Sequence, residues 1–395
     1  MPTRPCWVEI RTQAFEANFR FLAALAAPHA ELLAIVKADA YGHSLVLCAP
    51  AAVRAGARWL GVTSVEEGVA ARALCPEARV LVIGGLFPGQ GAALVAHRLT
   101  AVAWEPWQLD EGEIAAQDAG AQAGSVPIHL EIDTGMSRQG VDAAGLLPML
   151  ARFGAGSPLK LEGVMTHLFA ADEADGAVTE AQLVQLDKVL EQVSAEGLWA
   201  EWLNVGNSAA LLAGQAEAIA ALAARHGMKA LLRPGLALYG LAPTYEPAFE
   251  PEDPAPLSAA LTRLQPVLSW KTRVTGVRDI PAGAVVGYNG TFVATEPMRL
   301  ALLAAGYADG IDRQLGNRFS LLVRGQYAPL VGLISMDQTV IDVTDIPGVK
   351  PGDEVVIIGT QDSETITAFD HAEVTGTIPW EIFTRIGARV RRVAV

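Results

Sequence analysis

One lysine stands where its amine could attack a carbonyl carbon. Lys37 directly follows the apolar run Leu32–Val36, so a strand that ends here would hold it at the edge of an apolar core. Loss of solvation at such an edge lowers the pKa of a lysine and makes its amine nucleophilic. A lysine that merely extends past the strand end into water is the alternative. The polar residues Asp39, Tyr41 and His43, which follow at once, favour the nucleophile.

Two later segments carry groups that suit a phosphate. Residues 204–208 read Asn-Val-Gly-Asn-Ser, and residues 233–240 read Arg-Pro-Gly-Leu-Ala-Leu-Tyr-Gly. They supply a hydroxyl, a guanidinium and glycine backbone that a phosphate can approach closely, although turn chemistry alone explains each segment equally well. Combined with Lys37, they indicate a phosphorylated aldehyde held by an imine bond, a description that pyridoxal 5′-phosphate fits.

Eight short apolar runs, separated by Ala-rich stretches of helical period, occupy residues 30–240. Their starts lie about 20–40 residues apart, which leaves room for a strand and a crossover helix. Eight such units predict an α/β chain with a (β/α)8 TIM-type barrel, whose chemistry gathers at the carboxyl ends of the strands. No run is followed by G-x-G-x-x-G, so a dinucleotide-binding sheet loses its main support. The predicted strands are 34–36, 60–63, 80–83, 100–104, 128–132, 161–165, 201–205 and 231–238.

The amino-acid composition and the predicted secondary structure change after residue 242. Prolines and acidic residues are frequent in 243–256, which predicts an extended linker. Beyond it, β-rich segments separated by Pro/Gly turns predict a mostly-β domain. We therefore expect a cofactor-binding barrel over residues 12–242 and a C-terminal β domain over 243–395, which residues 1–11 join. The predicted strands of the second domain are 267–275, 299–305, 320–323, 338–343 and 354–358.

Composition excludes several classes of protein. A chain with 51% hydrophobic residues, 18% charged residues and a mean hydropathy of +0.29 is not intrinsically disordered. A net charge of −14 repels nucleic-acid phosphates and anionic lipids, so we expect no nucleic acid and no membrane as partner. We see neither a membrane span of ~18 apolar residues nor a signal-peptide core. Three cysteines without a C-x-x-C pair and histidines without metal-ligand spacing predict a cytoplasmic protein with no metal.

The segment around Lys37 resembles a known signature. Val36-Lys-Ala-Asp-Ala-Tyr-Gly-His43 resembles the V-K-A-N-A-Y-G-H-G signature of alanine racemases. Further segments that match the family pattern follow in order along nearly the whole chain, and chance does not produce so many ordered matches. These segments are 63–67, 132–140, 166–170, 207–209, 233–240, 286–289, 306–310 and 335–338.

The resemblance implies the two bases that racemisation needs. Lys37 would form the Schiff base with pyridoxal 5′-phosphate and, once alanine has replaced it in an external aldimine, would serve one face of the substrate Cα. Tyr288, contributed by the partner subunit of a homodimer, would serve the opposite face of the planar carbanion. The implied reaction interconverts L- and D-alanine and supplies D-alanine for cell-wall peptidoglycan.

Other matching residues would bind the cofactor or the substrate. Arg233 would face the pyridine nitrogen, where a guanidinium that keeps its proton leaves the ring a weaker electron sink. Arg138 would hydrogen-bond the phenolic oxygen, and His167 would lie against the ring. The remaining implied cofactor contacts are Tyr41, Asn207, Ser208, Gly235 and Tyr239. The implied substrate contacts are Arg138, Tyr288, Tyr307, Met336 and Asp337, with Tyr307 and Met336 also from the partner and Asp337 a near neighbour of Tyr288.

Glu131 departs from the family pattern. Many members carry there a carbamylated lysine that orients the arginine corresponding to Arg138. We hypothesise that Glu131 supplies the same carboxylate permanently. A solvent-facing strand glutamate is the alternative.

Related activities stay open from the sequence. A broad-specificity amino-acid racemase would differ in the width of its pocket. A pyridoxal-phosphate amino-acid decarboxylase of similar architecture would carry a glutamate in place of Arg233 and a cysteine near the substrate, whereas no cysteine follows Cys75. A single-domain pyridoxal-phosphate-binding protein without turnover would lack the β domain and therefore Tyr288.

Overall fold

A computed structural model of the chain describes residues 4–172, 176–242 and 262–395. These residues divide into two compact units. The first unit comprises Gln13–Ala40 and Leu45–Pro266, and the second comprises Met1–Thr12, Tyr41–Ser44 and Val267–Val395. The predicted linker at 243–256 lies outside the described residues, and the predicted domain boundary beside it stays a prediction.

The first unit is built on a closed barrel of eight parallel strands. Each strand pairs with the next along the chain, and the last pairs with the first, where Leu32 lies opposite Leu232. The predicted (β/α)8 barrel is confirmed, and every predicted strand overlaps an observed one. Strand β1 (Cys6–Ile10) belongs to the second unit, and the barrel strands are β2 (Ala30–Ile35), β3 (Trp59–Val62), β4 (Arg79–Val82), β5 (Thr100–Ala103), β6 (Val126–Glu131), β7 (Leu159–Met165), β8 (Trp202–Asn204) and β9 (Lys229–Leu232).

Helices cover the outside of the barrel. The strands therefore have both faces buried, and their side chains are apolar along nearly their whole length. Among the described residues, no helix combines the length and the apolar character that crossing a bilayer requires. The helical segments of this part of the chain, of which α2 is a left-handed turn, are α1 (Thr12–Ala26), α2 (Lys37–Tyr41), α3 (Leu45–Arg54), α4 (Val65–Leu74), α5 (Gly91–Ala96), α6 (Pro106–Asp118), α7 (Leu146–Leu150), α8 (Ala177–Ala195), α9 (Ser208–Leu212) and α10 (Ala216–Arg225).

The apolar run 231–238, predicted as one strand, splits in the structure. Strand β9 ends at Leu232, and Leu236–Tyr239 forms a short 3₁₀ turn. Pro234 lies between them, has no N–H for a strand ladder and favours extended backbone at the residue before it. The chain therefore leaves the barrel wall at Arg233.

The second unit is mostly β, as predicted. Its elements are β1, β10 (Leu268–Ile280), β11 (Val285–Val286), β12 (Phe292–Val293), β13 (Met298–Leu303), β14 (Ser320–Val323), β15 (Gln326–Pro329), β16 (Thr339–Asp342), β17 (Glu354–Gln361), β18 (Glu364–Ile366), β19 (Arg391–Ala394), α11 (Ala368–Thr375) and α12 (Pro379–Thr384). Nine strands form one sheet along β15-β14-β17-β10-β1-β19, with β13 attached to β10, β16 attached to β13 and β18 attached to β17. Strands β11 and β12 form a separate ribbon. The sequence did not predict β11, β12, β15, β18 and β19, because such short strands carry too little apolar pattern.

Candidate functional site

The carboxyl ends of neighbouring barrel strands carry the predicted cofactor residues. Strands β6, β7, β8, β9 and β2 are consecutive around the barrel. Because parallel strands end at one rim, the residues that follow them meet at one mouth of the barrel. In barrel order these residues are Arg138, His167, Asn207, Arg233 and Lys37.

Lys37 lies at this mouth with an amine that deprotonates readily. Burial is the main cause that lowers its pKa, and the charges of Arg138 and Arg233 lower the pKa further. The carboxylate of Glu67 opposes them. A lowered pKa increases the share of the free-base form, which is the nucleophilic form of a lysine.

The chain makes a left-handed turn directly after Lys37. Ala38, Asp39, Ala40 and Tyr41 all have φ between 52° and 54°. This region costs a non-glycine residue roughly 1–2 kcal/mol. Such strain persists only where the surroundings hold it, and it is concentrated at functional sites.

Two carboxylates hold the left-handed turn. Glu67 Oε1 accepts a hydrogen bond from the Ala38 N–H at 2.7 Å, and Glu67 Oε2 accepts from the Thr63 N–H at 2.9 Å. Asp39 Oδ1 accepts from the Leu45 N–H at 2.6 Å. The ends of β2 and β3 are thereby joined through one side chain, directly beside the candidate nucleophile.

Arg233 is buried and held through both terminal nitrogens. Nη1 donates to the carbonyl oxygen and to Oδ1 of Asn204, each at 2.6 Å. Nη2 donates to the Thr166 carbonyl at 2.9 Å and to His167 Nδ1 at 3.2 Å. Burial lowers the pKa of Arg233 to about 10, so the guanidinium keeps its charge at neutral pH. These bonds leave the Nε–H as the donor for a ligand.

His167 presents a neutral ring to the same mouth. Burial, followed by the charges of Arg233, Arg138 and Lys37, lowers its pKa to about 3. Gln182 Nε2 donates to the His167 carbonyl at 3.0 Å and fixes the backbone behind the ring. Because Nδ1 accepts from Arg233, the ring proton is assigned to Nε2.

Arg138 lies in a tight loop after β6. Asp133 Oδ1 accepts from the N–H groups of Gly135 at 2.9 Å and Ser137 at 3.1 Å. At Gly140, where φ is +120°, a Cβ would lie 2.4 Å from the Asp133 nitrogen. The loop therefore requires glycine and fixes the backbone, while the Arg138 side chain stays exposed.

Glu131 is buried, with Gln139 as its hydrogen-bond partner. Its exposed fraction of 2% excludes the solvent-facing alternative. Gln139 Nε2 donates to Glu131 Oε2 at 2.6 Å, and burial raises the pKa of Glu131. Within the three described ranges, no hydrogen bond joins Glu131 to Arg138, so the orienting role remains a hypothesis.

Ser208 joins the two loops predicted to hold a phosphate. Its Oγ accepts from the N–H groups of Gly235 at 2.9 Å and Ala237 at 3.2 Å. The hydroxyl proton is used by neither bond and is a donor for a ligand. Asn207 Oδ1 accepts from the Ala210 N–H at 3.0 Å, which caps α9.

The two tyrosines predicted near the phosphate are held differently. Tyr239 is buried, and its hydroxyl donates to the Ile35 carbonyl at 2.9 Å. It therefore braces the strand that leads to Lys37. Tyr41 is grouped with the second unit, which the sequence did not predict. Burial raises the pKa of Tyr41 to about 12, so its phenol stays protonated.

The predicted residues of the second unit lie on its surface. The exposed fractions are 67% for Tyr288, 43% for Tyr307 and 53% for Met336. Tyr288 begins a 3₁₀ turn after Gly287, whose φ of +74° favours glycine. The Tyr307 N–H donates to the Ser335 carbonyl at 3.0 Å, so the loops that carry Tyr307 and Met336 are joined.

Asp337 is anchored in a cluster of ion pairs. Arg389 donates from Nη2 to Asp337 Oδ1 and from Nε to Asp309 Oδ1, each at 2.8 Å. Arg4 Nη2 donates to Oδ2 of the buried Asp309 at 3.0 Å. In the described part of the chain, neither a hydrogen bond nor an ion pair joins Asp337 to Tyr288, so their predicted proximity remains a prediction.

Sequence reasoning missed the residues that support the site residues. Each of them contacts a site residue or its backbone and does not itself face the barrel mouth. Several lie in the matched motifs, but a motif does not show which neighbour a side chain contacts. The missed residues are Glu67, Gln139, Thr166, Gln182 and Asn204.

No group of three or more His, Cys, Asp or Glu residues suited to a metal ion occurs within 4–172, 176–242 and 262–395.

Comparison with known proteins covers both units. A family model described as alanine racemase, N-terminal domain, matches residues 10–243, and one described as alanine racemase, C-terminal domain, matches residues 267–394. The alanine racemase of Symbiobacterium thermophilum is 38% identical over 393 residues, which cover 98% of this chain and 97% of the relative.

Solved structures agree over the same length. The alanine racemase from D-cycloserine-producing Streptomyces lavendulae has a TM-score of 0.88 and 34% identity, and the match covers 100% of this chain and 98% of that chain. The alanine racemase from Bartonella henselae, solved with covalently bound pyridoxal phosphate, has a TM-score of 0.83 and 28% identity, with 99% of each chain covered.

Proposed function

The chain belongs to the alanine racemase family, and from that premise we propose that it interconverts L- and D-alanine with pyridoxal 5′-phosphate as its cofactor. The observation that carries the proposal is the state of Lys37. Its pKa is lowered by burial and by the charges of Arg138 and Arg233. A nucleophilic amine beside two guanidiniums suits an anionic aldehyde.

The donor set of the barrel mouth fits this cofactor. Lys37 offers an amine for the aldehyde carbon. Arg233 offers the Nε–H that its four other hydrogen bonds leave for a ring nitrogen. Ser208 offers a hydroxyl proton for the phosphate. We assign Tyr41, Asn207, Ser208 and Gly235 to the phosphate, with Tyr239 as a brace behind them.

When bound, the cofactor supplies a carbonyl that bonds covalently to an amine and a conjugated ring that acidifies the substrate Cα–H. Lys37 then removes or returns the proton on one face of Cα. Its lowered pKa moves the amine toward the working pH, where one group can accept a proton in one direction and return it in the other. Racemisation needs a second proton donor on the opposite face.

We assign that second role to Tyr288 of the partner subunit. Five large side chains of the second unit, all 43–67% exposed, lie on the β11–β12 ribbon and its turn or on the joined loops of Tyr307 and Met336. Exposed apolar side chains that lie together mark interaction surfaces. The natural occupant is a second copy of this chain, because most soluble oligomers are symmetric homo-oligomers. We therefore propose a homodimer with shared active sites. The five side chains are Val285, Tyr288, Val293, Tyr307 and Met336.

The remaining residues tune and position the reaction. Arg233 would hold the ring nitrogen. Because it keeps its own proton, it would limit how much negative charge the ring accepts and would favour return of the proton to Cα. His167 would lie beside the ring as a neutral group. Arg138 is assigned to the phenolic oxygen and to the substrate carboxylate.

We assign Tyr307, Met336 and Asp337 to the substrate pocket that faces Tyr288. The bulky side chains of Tyr307 and Met336 would narrow this pocket, so that it admits only a small substrate side chain such as a methyl group. The product D-alanine would serve peptidoglycan synthesis.

A racemisation assay on a panel of L-amino acids tests the proposal. We expect alanine to be turned over far faster than serine, lysine or arginine. Comparable turnover of these amino acids would replace the proposal with a broad-specificity racemase, and release of carbon dioxide without racemisation would replace it with a decarboxylase. Lys37→Ala should remove activity, whereas Lys229→Ala, at the opposite end of the barrel, should not.

A further inference from the structure

Behind Arg233 the barrel interior holds a line of polar side chains that the proposed reaction does not use. Asn204 at the end of β8, His129 on β6 and Glu162 on β7 are each at most 4% exposed. They follow one another from Arg233 toward the amino ends of the strands, where Arg79 begins β4. Branched apolar side chains ordinarily fill this space, and buried polar groups cost free energy unless they are paired.

Each contact in this line fixes the orientation of the next one. Arg233 Nη1 can only donate, so Asn204 Oδ1 must accept at 2.6 Å. The Asn204 Nδ2 amide group therefore faces His129 and lies 3.2 Å from its Nδ1, which must accept. A His129 ring that accepts at Nδ1 and is neutral carries its proton at Nε2. Burial lowers the pKa of His129 and favours this neutral form.

Glu162 anchors the far end of the line. His129 Nε2 lies 3.6 Å from Glu162 Oε2, a distance over which the N–H and the carboxylate attract each other. Thr100 Oγ1 donates to the same oxygen at 3.3 Å, and Arg79 forms an ion pair with Oε1. The Arg79 guanidinium in turn lies 3.8 Å from the centre of the Trp59 ring.

The barrel wall makes room for the His129 ring. Gly163 of β7 pairs with His129, and a Cβ at this glycine would lie 2.6 Å from Nδ1 and Cε1 of the ring. The Trp59 ring meets His129 edge-on, with centroids 5.7 Å apart. A missing side chain on one strand and an imidazole on the next are complementary in shape, so the ring has one defined place.

We infer that His129 and Glu162 are positioning residues for Arg233, because they hold the Asn204 amide with its oxygen toward the guanidinium and thereby fix where the Arg233 Nε–H points. Without the acceptor at His129, the amide can turn and place its own N–H groups against Nη1, where two donors repel each other. Arg233 would then lose one of its four hydrogen bonds. The inference relies on the proposed function only for the identity of the cofactor that Nε contacts.

Three variants of the full-length enzyme test the line. His129→Leu removes the acceptor, Glu162→Gln removes the charge without changing size, and His129→Asn retains an acceptor near the position of Nδ1. His371→Leu is the matched control, because His371 is an equally buried histidine of the second unit. The readouts are the visible absorption band of the bound cofactor and the dissociation constant for pyridoxal 5′-phosphate. Circular dichroism verifies folding.

We expect His129→Leu and Glu162→Gln to shift the band and to weaken cofactor binding about tenfold, the effect of one lost hydrogen bond to a charged group. His129→Asn should stay close to wild type, and His371→Leu should leave both readouts unchanged. A folded Glu162→Gln enzyme with an unaltered band and dissociation constant would overturn the inference even if His129→Leu does not fold.

Two further results separate the inference from the proposed function. If His129→Asn behaves like His129→Leu, the ring acts by filling space, and the inference is wrong. If wild-type enzyme binds the cofactor without racemising alanine, the proposed function fails, while the band shifts still support or contradict the positioning role. A chain that takes up no pyridoxal 5′-phosphate would overturn both.

Discussion

The barrel mouth and the surface of the second unit hold their proposed site residues in opposite ways. Arg233 is 5% exposed and donates four hydrogen bonds, whereas Tyr288 projects into solvent at the tip of a turn. A side chain held from every side is preorganised for a ligand, and an exposed one gains order only when something covers it. This difference supports the proposal that one chain builds the cofactor-binding part of the site, whereas a partner subunit completes the part with the second base.

Removal of the candidate nucleophile at the barrel mouth should abolish activity. We expect Lys37→Ala to lose more than about 10⁴-fold in racemisation rate, because both the covalent link and one base disappear. The visible absorption of the bound cofactor should change with it. Lys229→Ala is the control, since Lys229 is exposed and paired with Glu201. Substantial residual activity in Lys37→Ala would contradict the assignment.

Removal of the proposed second base should lower the racemisation rate without affecting cofactor binding in the barrel. Tyr288→Phe should lose about 10²- to 10⁴-fold in rate, the usual contribution of one acid–base group, while cofactor absorbance stays as in wild type. Tyr327→Phe, which alters another exposed tyrosine of the same unit, should be neutral. Full activity of Tyr288→Phe in both directions would rule out the role.

The buried carboxylate of Asp309 supports the exposed loop that carries Tyr307. Asp309→Asn should lower the free energy of unfolding by about 1–3 kcal/mol, because it removes the buried carboxylate that pairs with Arg4 and Arg389. Racemisation should also fall, since Asp309 ends the turn that begins at Tyr307. Chemical denaturation measures the stability, with the exposed Asp279→Asn as control. An unchanged midpoint would show that the cluster is not stabilising.

One histidine of each unit, His167 and His371, has a strongly lowered pKa and allows the two units to be compared through the pH dependence of stability. Burial lowers the pKa of His167 to about 3 and that of His371 to about 4. Below about pH 6.5 the unfolded chain binds these protons while the folded chain does not. Stability therefore falls as the pH falls from 6.5 toward 4, by up to about 1.4 kcal/mol per pH unit for each histidine.

Substitution of either histidine should flatten that pH dependence. The free energy of unfolding, measured between pH 7 and pH 5, should depend less steeply on pH in His167→Asn and in His371→Asn than in wild type. The reduction should be similar in the two variants. Only His167→Asn should alter the cofactor absorbance, because only His167 lies at the barrel mouth. A slope unchanged in both variants would mean that neither histidine is neutral in the folded state.

The smallest expected effect concerns Glu131. Glu131→Gln keeps the hydrogen-bonding atoms but removes a charge that acts on Arg138 and Arg233. We expect activity to fall about three- to tenfold, measured beside Glu31→Gln at the opposite rim of the barrel. Activity and absorbance equal to wild type would remove the hypothesis that Glu131 replaces a carbamylated lysine.

The sequence predicted the parts of the molecule that depend on periodicity and order. Eight apolar runs predicted the barrel, and the position of Lys37 directly after the first run predicted that it lies at the rim. Arg233 lies inside the predicted run 231–238, which the structure divides at that residue. The family resemblance added Tyr288, which no pattern of spacing singles out. Short polar strands such as β18 were missed because they carry no apolar repeat.

Contacts between distant residues could not be predicted. Neither Glu67 nor the left-handed turn after Lys37 follows from propensity, because four successive non-glycine residues in that region are locally unfavourable. The carboxylates of Glu67, in the helix after the next strand, and of Asp39 hold the turn. His129 was likewise overlooked as one residue of a buried strand, since its significance depends on Gly163 and Asn204 across the barrel.

The central claim is that each active site takes Lys37 from one subunit and Tyr288 from the other. Mixing denatured Lys37→Ala and Tyr288→Phe enzymes and refolding them together forms hybrid dimers in which one of two sites is intact. We predict that activity returns to about a quarter of wild type, the share of intact sites at random pairing. Activity no higher than that of the two separate variants, in a sample that contains hybrid dimers, would contradict the claim.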